Sequence, residues 1–363
     1  MQFISNKNMQ TIIANGYSVD FNEKGYQELN KHLSENKYSK IFIIVDSNTN
    51  EYCLPNFLPL LETNLTVEII EFENGESFKN IETCVSIWNV LTELGGDRKS
   101  LIINLGGGVV TDLGGFVAST YKRGINFINV PTTLLSMVDA SIGGKNGVDL
   151  GNLKNQVGVI NVPKMVIIDT NYLETLPQNE MRPGLAEMLQ HGLTYAAAYW
   201  EKFLNLNTAV LDDLDALIHK SVVIKNEIVL QDPTENGIRK ALNFGHTLGH
   251  AIESYFLENE NKTTLLHGEA IAVGMILEGY ISLKKNLITE AEFSQLKTTI
   301  KNLFDDIHFD DNDLKPILDL LIHDKKNEYG NIQFALIDGI GKIKINQEVE
   351  TELINEAFDN YKS

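Results

Sequence analysis

The first half of the chain alternates short apolar runs with longer amphipathic segments, and this alternation limits the folds it can adopt. Each apolar run is rich in isoleucine, leucine and valine, which is typical of a strand buried on both faces. Helical patterns at 81–94 and 113–121 lie between these runs and predict a parallel sheet with helices on its faces, whose ligands bind at the carboxyl ends of the strands. The predicted strands are 40–46, 66–71, 100–105, 126–130 and 165–169.

From about residue 179 the pattern changes to long helical segments with little strand character. The predicted helices are 181–199, 211–230, 241–255 and 268–285. Near the end of the chain, residues 332–345 are typical of a hairpin with its turn around Asp338 and Gly339. The sequence therefore predicts an α/β fold with a parallel-sheet domain over 1–177 and a mainly α-helical domain over 178–363.

Composition limits the class of protein. With 363 residues, of which 43% are hydrophobic, the chain can bury a large core. The net charge of -19 argues against non-specific binding to nucleic acid or to an anionic membrane. Cys53 and Cys84 are the only cysteines, which favours a reducing compartment. No apolar run is long enough for a membrane span, and the start lacks the features of a signal peptide, so we expect a cytoplasmic protein.

Histidines and a glutamate in the second half provide possible metal ligands. His246 and His250 are four residues apart, a spacing that places both imidazoles on one face of a helix. With His267 and Glu187 they offer the nitrogen and oxygen donors that a catalytic zinc uses. Packing or capping is the alternative interpretation of the pair. Thr247 follows His246 where a zinc peptidase needs a glutamate, so a peptidase is not favoured.

The predicted strand 100–105 leads into residues 106–112, which read GGGVVTD, and then into a helix. Glycines let the backbone approach a ligand, and the free amides of a helix start attract phosphate. The usual dinucleotide fingerprint is absent, because its third glycine would fall on Thr111. A plain tight turn is the alternative. Further polar groups follow other predicted strands and suggest one extended ligand, although capping could also explain them: Asp46, 74–79, Thr132 and Thr133.

Polar segments at 137–147 and 151–156 combine lysines with glycines, asparagines and serines, which suits the binding of an oxyanion. Lys145 and Lys154 are the candidate cations, although a lysine of an acidic protein is usually a solvated surface charge. Lys225 and Arg239 flank another polar segment. Arg239 can hold a carboxylate through two parallel hydrogen bonds, and pairing on a helix surface is the alternative.

Together these motifs resemble the 3-dehydroquinate synthase family of the sugar phosphate cyclase superfamily. The resemblance covers most of the chain, from about Asp46 to the segment 324–326. The motifs that carry it, in chain order, are 106–112, 131–135, 139–145, 153–155, 186–187, 243–250 and 267–269.

The resemblance implies a Rossmann-like NAD-binding domain followed by a helical metal-binding domain. It implies a lyase of the shikimate pathway of aromatic amino acid biosynthesis, which converts 3-deoxy-D-arabino-heptulosonate 7-phosphate to 3-dehydroquinate and phosphate. The implied steps are transient oxidation by NAD, elimination of phosphate, reduction, ring opening and aldol closure. A homodimer with a zinc or cobalt ion in each subunit is the expected assembly.

The resemblance also implies roles for individual residues. The implied metal ligands are Glu187, His246 and His267, with His250 as a substrate contact. The implied substrate residues are Asp139, Lys145, Asn155, Lys225, Glu235, Arg239, Asn243 and His250, with Arg123 reaching the site of the other subunit and Lys325 or Lys326 closing the pocket. The implied NAD residues are Asp46, Asn74, Gly75, Glu76, Ser77, Phe78, Lys79, Gly107, Gly108, Val109, Val110, Thr111, Asp112, Thr132, Thr133, Lys145, Lys154, Tyr172, Leu173, Glu174 and Thr175.

One residue departs from the family pattern at the expected metal site. The family usually has a lysine three residues after the metal-binding glutamate, and this chain has Gln190. Glutamine keeps the ability to hydrogen-bond but lacks the positive charge. The alternatives are a relative that cyclises a carboxylate-free sugar phosphate, a metal-dependent polyol dehydrogenase, and a regulatory protein that binds a metal or nucleotide without catalysis.

Overall fold

The computed structural model forms two compact units. Unit 1 contains the described residues up to Met181 together with 214–226, and unit 2 contains the remaining described residues. The division after Met181 lies close to the expected boundary near Pro177, but the segment 214–226 was expected in the second domain. The described residues are 9–151, 153–204, 214–310, 312–321 and 332–362.

Unit 1 is built around a sheet of seven strands in the part of the chain that the structure describes, in the order β1-β2-β9-β6-β5-β3-β4. Two further pairs form antiparallel hairpins, β7 with β8 in unit 1 and β10 with β11 in unit 2. The strands are β1 (Ile12–Ile13), β2 (Ser18–Phe21), β3 (Ile41–Asp46), β4 (Val67–Phe72), β5 (Leu101–Gly106), β6 (Asn126–Pro131), β7 (Lys145–Leu150), β8 (Leu153–Ile160), β9 (Met165–Ile168), β10 (Phe334–Ile337) and β11 (Ile343–Gln347).

All neighbours in the large sheet are parallel except β1 and β2. The register pairs Asp46 with Phe72 and Gly106 with Pro131, so these strand ends lie at one edge of the sheet. The predicted parallel sheet and all five of its predicted strands are confirmed. The same edge therefore carries the polar segments that follow β3, β4, β5, β6 and β9.

The helices lie between the strands of unit 1 and make up most of unit 2. Short 3-10 turns connect several of them, and a π-helical turn covers Ser136–Ala140. The helices are α1 (Asn22–Glu35), α2 (Ser47–Tyr52), α3 (Leu54–Phe57), α4 (Ile81–Glu93), α5 (Gly108–Thr120), α6 (Arg182–Tyr195), α7 (Ala197–Trp200), α8 (Leu214–Gln231), α9 (His246–Glu258), α10 (His267–Lys284), α11 (Glu290–Leu303), α12 (Leu314–Leu321) and α13 (Thr351–Lys362).

The core of unit 1 lies between the sheet and the helices α4 and α5. Phe42 and Ile102 of the strands pack in one fully buried cluster with Leu113 and other side chains of α5. Gly114 lets α5 approach the sheet, because a Cβ there would lie 2.0 Å from Oδ1 of Asn104 on β5. This close packing fixes the start of α5 directly after β5.

In unit 2, α10 packs against both α6 and α9. Gly274 of α10 faces the backbone of Gly245, and a Cβ there would lie 1.9 Å from the Gly245 carbonyl oxygen. At the start of α10, a Cβ on Gly268 would lie 2.4 Å from Cα of Pro183. The three helices that carry the predicted metal ligands are therefore held together by close backbone contacts.

The predicted helices of the second half exist, but two of them are interrupted. The segment 181–199 was predicted as one helix, but it is divided into α6 and α7 at Ala196, whose angles of φ -141° and ψ 84° are not helical. The segment 241–255 was predicted as one helix, but a 3-10 turn, Ile238–Asn243, is separated from α9 by Gly245 with φ 80°. This left-handed conformation interrupts the helix, so His246 becomes the first residue of α9. The predicted hairpin near the end of the chain is confirmed as β10 and β11, with Gly339 in the turn at φ 84°.

Candidate nucleotide site and metal centre

The polar segments after β3 and β4 are hydrogen-bonded to one another. Asp46 caps α2, and its Oδ1 accepts hydrogen bonds from N and Oγ1 of Thr49 at 2.7 and 2.9 Å. Ser47 donates from Oγ to Oδ1 of Asn74 at 3.1 Å and accepts from the Asn74 N–H at 3.2 Å. Capping, which was the alternative interpretation of Asp46, therefore occupies one of its carboxylate oxygens.

The glycine-rich turn after β5 leads directly into α5, whose N-cap is Gly107. The Thr132 N–H donates to the Gly106 carbonyl at 3.0 Å, which brings the end of β6 beside this turn. A Cβ on Gly107 would lie 3.0 Å from Cγ2 of Thr133. The first-turn amides of α5, which begins at Gly108, have no acceptor within the helix, so they can donate to a phosphate.

A buried lysine connects the turn after β4 with α5 and with the hairpin of β7 and β8. Lys79 Nζ donates to Oδ2 of Asp112 and to Oδ1 of Asn155, both at 2.7 Å. Burial alone would lower the pKa of Lys79, but the negative charges of Asp112 and Glu76 outweigh it and raise that pKa above its usual range. Lys154 Nζ lies 3.5 Å from Oε1 of Glu76.

Residues after β6 contact a lysine of α8 within unit 1. Thr133 and Ser136 hydroxyls lie 3.0 Å apart at the start of the π-helical turn. Lys225 Nζ donates to the Asp139 carbonyl at 2.6 Å and also to its carboxylate. Lys225 is only 4% exposed and the Asp139 side chain is 30% exposed, so two residues predicted to contact substrate form a partly buried ion pair.

The segment after β9 forms a 3-10 turn, Thr170–Glu174, held by a buried tyrosine pair. Tyr26 donates to Oδ2 of Asp169 at 2.8 Å, and its hydroxyl lies 3.0 Å from that of Tyr172. Thr175 Oγ1 donates to the Tyr172 carbonyl at 3.2 Å. These contacts fix the predicted NAD segment 172–175 at the carboxyl edge of the sheet.

Two predicted basic residues of unit 1 are exposed. Arg123 follows α5 and has a φ of 71°, between Lys122 at 49° and Gly124 at 107°. Non-glycine residues rarely adopt this left-handed conformation. Lys145 begins β7 and is also exposed to solvent. The predicted Lys325 and Lys326 lie outside the described residues.

In unit 2 a glutamate and two histidines converge from three helices. Glu187 Oε1 lies 3.1 Å from Nε2 of His246 and 3.6 Å from Nε2 of His267. Glu187 and His246 are buried, and His267 is half-buried. The imidazole of His250 lies beside them, with one ring nitrogen each of His246, His250 and His267 within 4.8 Å of one another. The side chains predicted as metal ligands are thus together, and His250 is a possible further donor.

The outer nitrogens of both histidines are held by neighbouring groups. Nδ1 of His267 lies 3.1 Å from Oε2 of Glu253, and Nδ1 of His246 lies 3.3 Å from the Phe244 carbonyl. Gln190 Nε2 lies 2.8 Å from the same Nδ1 atom of His246. A carboxylate that accepts from Nδ1 of His267 leaves its Nε2 as the metal-binding nitrogen, and in both histidines Nε2 faces Glu187.

The charges of the cluster stabilise one another. Burial alone would raise the pKa of Glu187, but His246 and His267 outweigh it and hold that pKa well below its usual range. Burial likewise opposes protonation of His267, whereas the carboxylates of Glu253 and Glu187 raise its pKa to about 10. The Glu187 carboxylate therefore lies beside a protonated imidazole, and a metal ion bound by these groups would replace the proton.

A loop after α8 positions the remaining predicted residues of unit 2. The Asp232 carboxylate accepts hydrogen bonds from the N–H groups of Gly237 at 2.7 Å and Arg239 at 3.0 Å. Arg239 is 2% exposed and donates from Nη1 to a backbone carbonyl of the same loop. Asn243 Nδ2 donates to Oε1 of Glu235 at 3.1 Å. The buried Arg239 guanidinium is thus part of a preformed loop rather than a surface pair.

Among the residues that the structure describes, no helix is long and apolar enough to cross a membrane.

Each half of the chain matches a known protein family. Residues 69–183 match the family described as 3-dehydroquinate synthase N-terminal, and residues 184–327 match the one described as 3-dehydroquinate synthase C-terminal. The chain belongs to the 3-dehydroquinate synthase family. The resemblance inferred from the motifs is therefore confirmed over the greater part of the sequence.

Curated members of the 3-dehydroquinate synthase family are similar over nearly their whole length. The 3-dehydroquinate synthase of Parabacteroides distasonis is 41% identical over 339 residues, which are 92% of this chain and 95% of that protein. The 3-dehydroquinate synthase of Helicobacter pylori strain G27 is 37% identical over 345 residues, which are 94% of this chain and 98% of that protein.

Solved structures place the family's fold among the sugar phosphate cyclases. A 2-deoxy-scyllo-inosose synthase complexed with carbaglucose-6-phosphate, NAD+ and Co2+ matches with a TM-score of 0.84 and 28% identity, covering 97% of this chain and 100% of that one. NADH-dependent butanol dehydrogenase A of Thermotoga maritima matches with a TM-score of 0.67 and 13% identity, covering 96% of this chain and 98% of that one. At that identity the second match shows a shared fold alone.

Three carboxylates that hold the candidate site of this family member were missed by reasoning from the sequence. Glu253 lies seven residues after His246, so helical spacing places it on the same face and could have identified it. Glu278 accepts from a backbone N–H 33 residues away, and Asp149 accepts from that of Asn155 across the β7–β8 hairpin, which was not predicted, so no local pattern indicates these contacts.

Proposed function

We propose that this protein is a 3-dehydroquinate synthase, which converts 3-deoxy-D-arabino-heptulosonate 7-phosphate to 3-dehydroquinate and phosphate. The observation that carries the proposal is the convergence of Glu187, His246 and His267 in a chain with 41% identity to a curated 3-dehydroquinate synthase. The proposed reaction class is a phosphate-eliminating lyase of the shikimate pathway.

The residues of unit 2 fit a catalytic zinc or cobalt ion. One carboxylate and two imidazoles are a known set of three protein ligands for catalytic zinc, which leaves a position open for substrate. We assign the metal to Glu187 Oε1 and to Nε2 of His246 and His267. When bound, the metal supplies a Lewis acid that polarises the substrate's alcohol oxygen. The contact of Glu253 with Nδ1 keeps the His267 imidazole in the tautomer that such a site requires.

The residues of unit 1 fit NAD. The helix start at Gly108 offers free amides for the pyrophosphate, and Gly107 packs so closely against Thr133 that a side chain would fill the turn. When bound, NAD supplies a reversible hydride acceptor for the transient oxidation. We propose that the polar segments at the carboxyl ends of β3, β4, β6 and β9 hold the rest of the cofactor, because these ends share one edge of the sheet.

Substrate binding uses charge-assisted hydrogen bonds in this proposal. We assign Lys145 and Asn155 to the phosphate group, together with His250 and Asn243. An imidazole can release or accept a proton near neutral pH, so His250 is the proposed proton donor when phosphate leaves. The substrate residues that complete the proposal are Asp139 and Glu235, with Lys225 and Arg239 for the carboxylate and Arg123 for the partner subunit's site.

Buried cations support a substrate that carries a carboxylate. The Arg239 side chain is 2% exposed and donates to the Pro233 carbonyl, and Lys225 donates to Asp139, so neither side chain has to be ordered when the ligand binds. A cyclase for carboxylate-free sugar phosphates has no need of these two charges. We further propose a cytoplasmic homodimer that does not bind nucleic acid, in keeping with the net charge of -19.

The proposal is tested by the release of phosphate from 3-deoxy-D-arabino-heptulosonate 7-phosphate by purified protein supplied with NAD and zinc. We expect stoichiometric phosphate and 3-dehydroquinate, and loss of both after treatment with EDTA. Release from a carboxylate-free sugar phosphate, with none from the heptulosonate phosphate, would instead assign the protein to another cyclase activity.

A further inference from the structure

Lys79 and Asn155 form a contact that determines which atoms of the asparagine amide face outward. Lys79 is 5% exposed, and its Nζ lies 2.7 Å from Oδ1 of Asn155. An ammonium group can only donate hydrogen bonds, so the atom facing it must be the amide oxygen. The amide nitrogen therefore points away from Lys79.

The outward amide nitrogen of Asn155 is available for a ligand. Asn155 lies on the exposed strand β8, and among the described residues no group hydrogen-bonds to its Nδ2. An NH2 group offers two donors and no acceptor, which suits an oxyanion and excludes a cation. The opposite amide orientation would present the oxygen and repel a phosphate.

The backbone of Asn155 is fixed by a second contact with the same region. Its φ is 53°, a left-handed conformation, and its N–H donates to Oδ1 of Asp149 at 2.6 Å. The Asp149 N–H in turn donates to the Lys79 carbonyl at 2.8 Å. Lys79 and Asp149 thus hold Asn155 at both its side chain and its main chain.

The positive charge of Lys79 is already matched by a carboxylate. Its Nζ lies 2.7 Å from Oδ2 of Asp112, so the pair carries no net charge. Attraction of an anion by the Lys79 charge itself is correspondingly small. What Lys79 contributes to anion binding is the orientation of its hydrogen-bond acceptor, Asn155.

We propose that Lys79 is a positioning residue, which orients the Asn155 amide so that its two N–H groups bind the phosphate of the substrate. This inference rests on the proposed function, from which the phosphate ligand is taken. It gives Lys79 a role in phosphate binding, in addition to the NAD contact that the family resemblance implies.

A double-mutant cycle tests the inference with inorganic phosphate as the probe. Binding is measured by calorimetry on the zinc-loaded protein at saturating NAD for the wild type, Asn155→Ala, Lys79→Met and the double variant. We expect each single substitution to weaken phosphate binding about tenfold, the size of one charge-assisted hydrogen bond. We expect the double variant to bind phosphate no more weakly than either single variant, because Lys79 acts on phosphate only through Asn155.

Two further variants separate this role from general effects. Lys79→Arg keeps donors toward Asn155 and should restore phosphate binding to within about threefold of the wild type. Lys40→Met is the matched control, because Lys40 is also a partly buried lysine paired with a carboxylate and a carbonyl. Lys40 precedes β3, at the edge of the sheet opposite Asp46, so its loss should leave phosphate binding unchanged.

A loss of phosphate affinity of about a hundredfold in the double variant, the sum expected of two independent effects, would overturn the inference. Unchanged phosphate binding in Lys79→Met would also overturn it. A crystal structure of the wild type with NAD and phosphate tests it even if Lys79→Met does not fold. Phosphate on Nδ2 of Asn155, with Oδ1 still on Lys79, supports the inference, and phosphate on Lys79 Nζ itself rejects it.

Failure of the proposed function gives a different result. In that case the wild type releases no phosphate from the heptulosonate phosphate, whereas coupling between Lys79 and Asn155 in the binding of inorganic phosphate is still measured. Turnover by the wild type without this coupling leaves the function standing and removes only the role of Lys79.

Discussion

Glu278 accepts a hydrogen bond of 2.6 Å at its Oε2 atom from the backbone N–H of Gly245. Its other oxygen, Oε1, accepts from the Leu248 N–H at 3.1 Å. Glu278 is fully buried on α10, and the two N–H groups belong to the start of α9, whose first residue is His246. One carboxylate therefore ties the helix of one candidate metal ligand to the helix of another, His267.

We predict that Glu278→Gln weakens zinc binding about tenfold, the lower range for residues that support a metal ligand. The amide keeps one acceptor oxygen, so one N–H at the start of α9 loses its partner, at a cost of about 1–3 kcal/mol of stability. Zinc affinity is measured by competition with a chelator, and stability by urea unfolding of the metal-free protein.

Glu292→Gln is the matched control for this prediction. Glu292 also accepts from a backbone N–H at a helix start, that of Thr289 before α11, and no predicted ligand lies on that helix. Its loss should lower stability and leave zinc affinity unchanged. If the two substitutions lower zinc affinity equally, Glu278 acts on the metal site only through global stability.

Two substitutions distinguish the possible ligand sets. We predict that Glu187→Gln lowers zinc affinity more than about a hundredfold, because it removes an anionic ligand. Loss of a residue that only hydrogen-bonds to a metal ligand typically costs less. His250→Gln should retain zinc and lower turnover, since His250 is assigned to the substrate. Metal content after dialysis and phosphate release give the two readouts. Loss of zinc from His250→Gln would favour the set of His246, His250 and His267, whose ring nitrogens also lie together.

The family's usual lysine can be tested at Gln190. Gln190 is fully buried, and its Nε2 donates to the carbonyls of Leu242 at 3.0 Å and Phe244 at 2.7 Å. A lysine ammonium can donate to both carbonyls, so we predict that Gln190→Lys preserves or raises kcat/KM. Gln190→Met leaves the carbonyls without this donor and should cost about 1–3 kcal/mol of stability. A large loss of activity in Gln190→Lys would mean that the pocket has adapted to glutamine.

Asp232 gives a prediction about stability in acid. Burial alone would raise its pKa, but the N–H groups of Gly237 and Arg239 outweigh it and hold the pKa below its usual range. A carboxyl group whose pKa is lower in the folded state stabilises that state. The stabilisation is complete above the unfolded-state pKa of about 3.9, and it is lost as the pH falls through the folded-state pKa. We therefore predict that Asp232→Asn lowers the free energy of unfolding by about 1–2 kcal/mol at pH 7, as the loss of a helix N-cap does.

Urea unfolding of the wild type and Asp232→Asn at pH 7, 5 and 3 checks the direction in which this stabilisation changes with pH. The difference in unfolding free energy should be constant between pH 7 and 5 and should shrink at pH 3. A difference that grows in acid would contradict the assignment of a lowered pKa to Asp232.

The strands of the parallel sheet could be predicted because burial on both faces requires continuous apolar residues, as in β3 and β5. The pair β1 and β2 was missed, because strands as short as Ile12–Ile13 contain too few residues to show a pattern. The hairpin of β7 and β8 was interpreted only as a polar anion-binding segment. The two strands read KNGVDL and LKNQVGVI, so polar residues and glycines interrupt the apolar alternation that marks a strand.

The candidate metal ligands could be predicted from spacing and donor chemistry, because His246 and His250 lie within one helix. The contacts that hold them could not. Gln190 was noted only as a departure from the family, and its hydrogen bonds to Leu242 and Phe244 depend on the packing of α6 against the turn before α9. Contacts between residues so far apart in sequence follow from the tertiary structure alone.

The backbone contact between Gly274 and Gly245 has a consequence for the evolution of this centre. A Cβ on Gly274 would lie 1.9 Å from the Gly245 carbonyl oxygen, so no side chain separates α9 from α10 at this point. The spacing of the imidazoles of His246 and His267 is consequently set by main-chain geometry. Mutations that repack the surrounding apolar residues can accumulate over generations without altering that spacing, whereas a single added methyl group at Gly274 changes it.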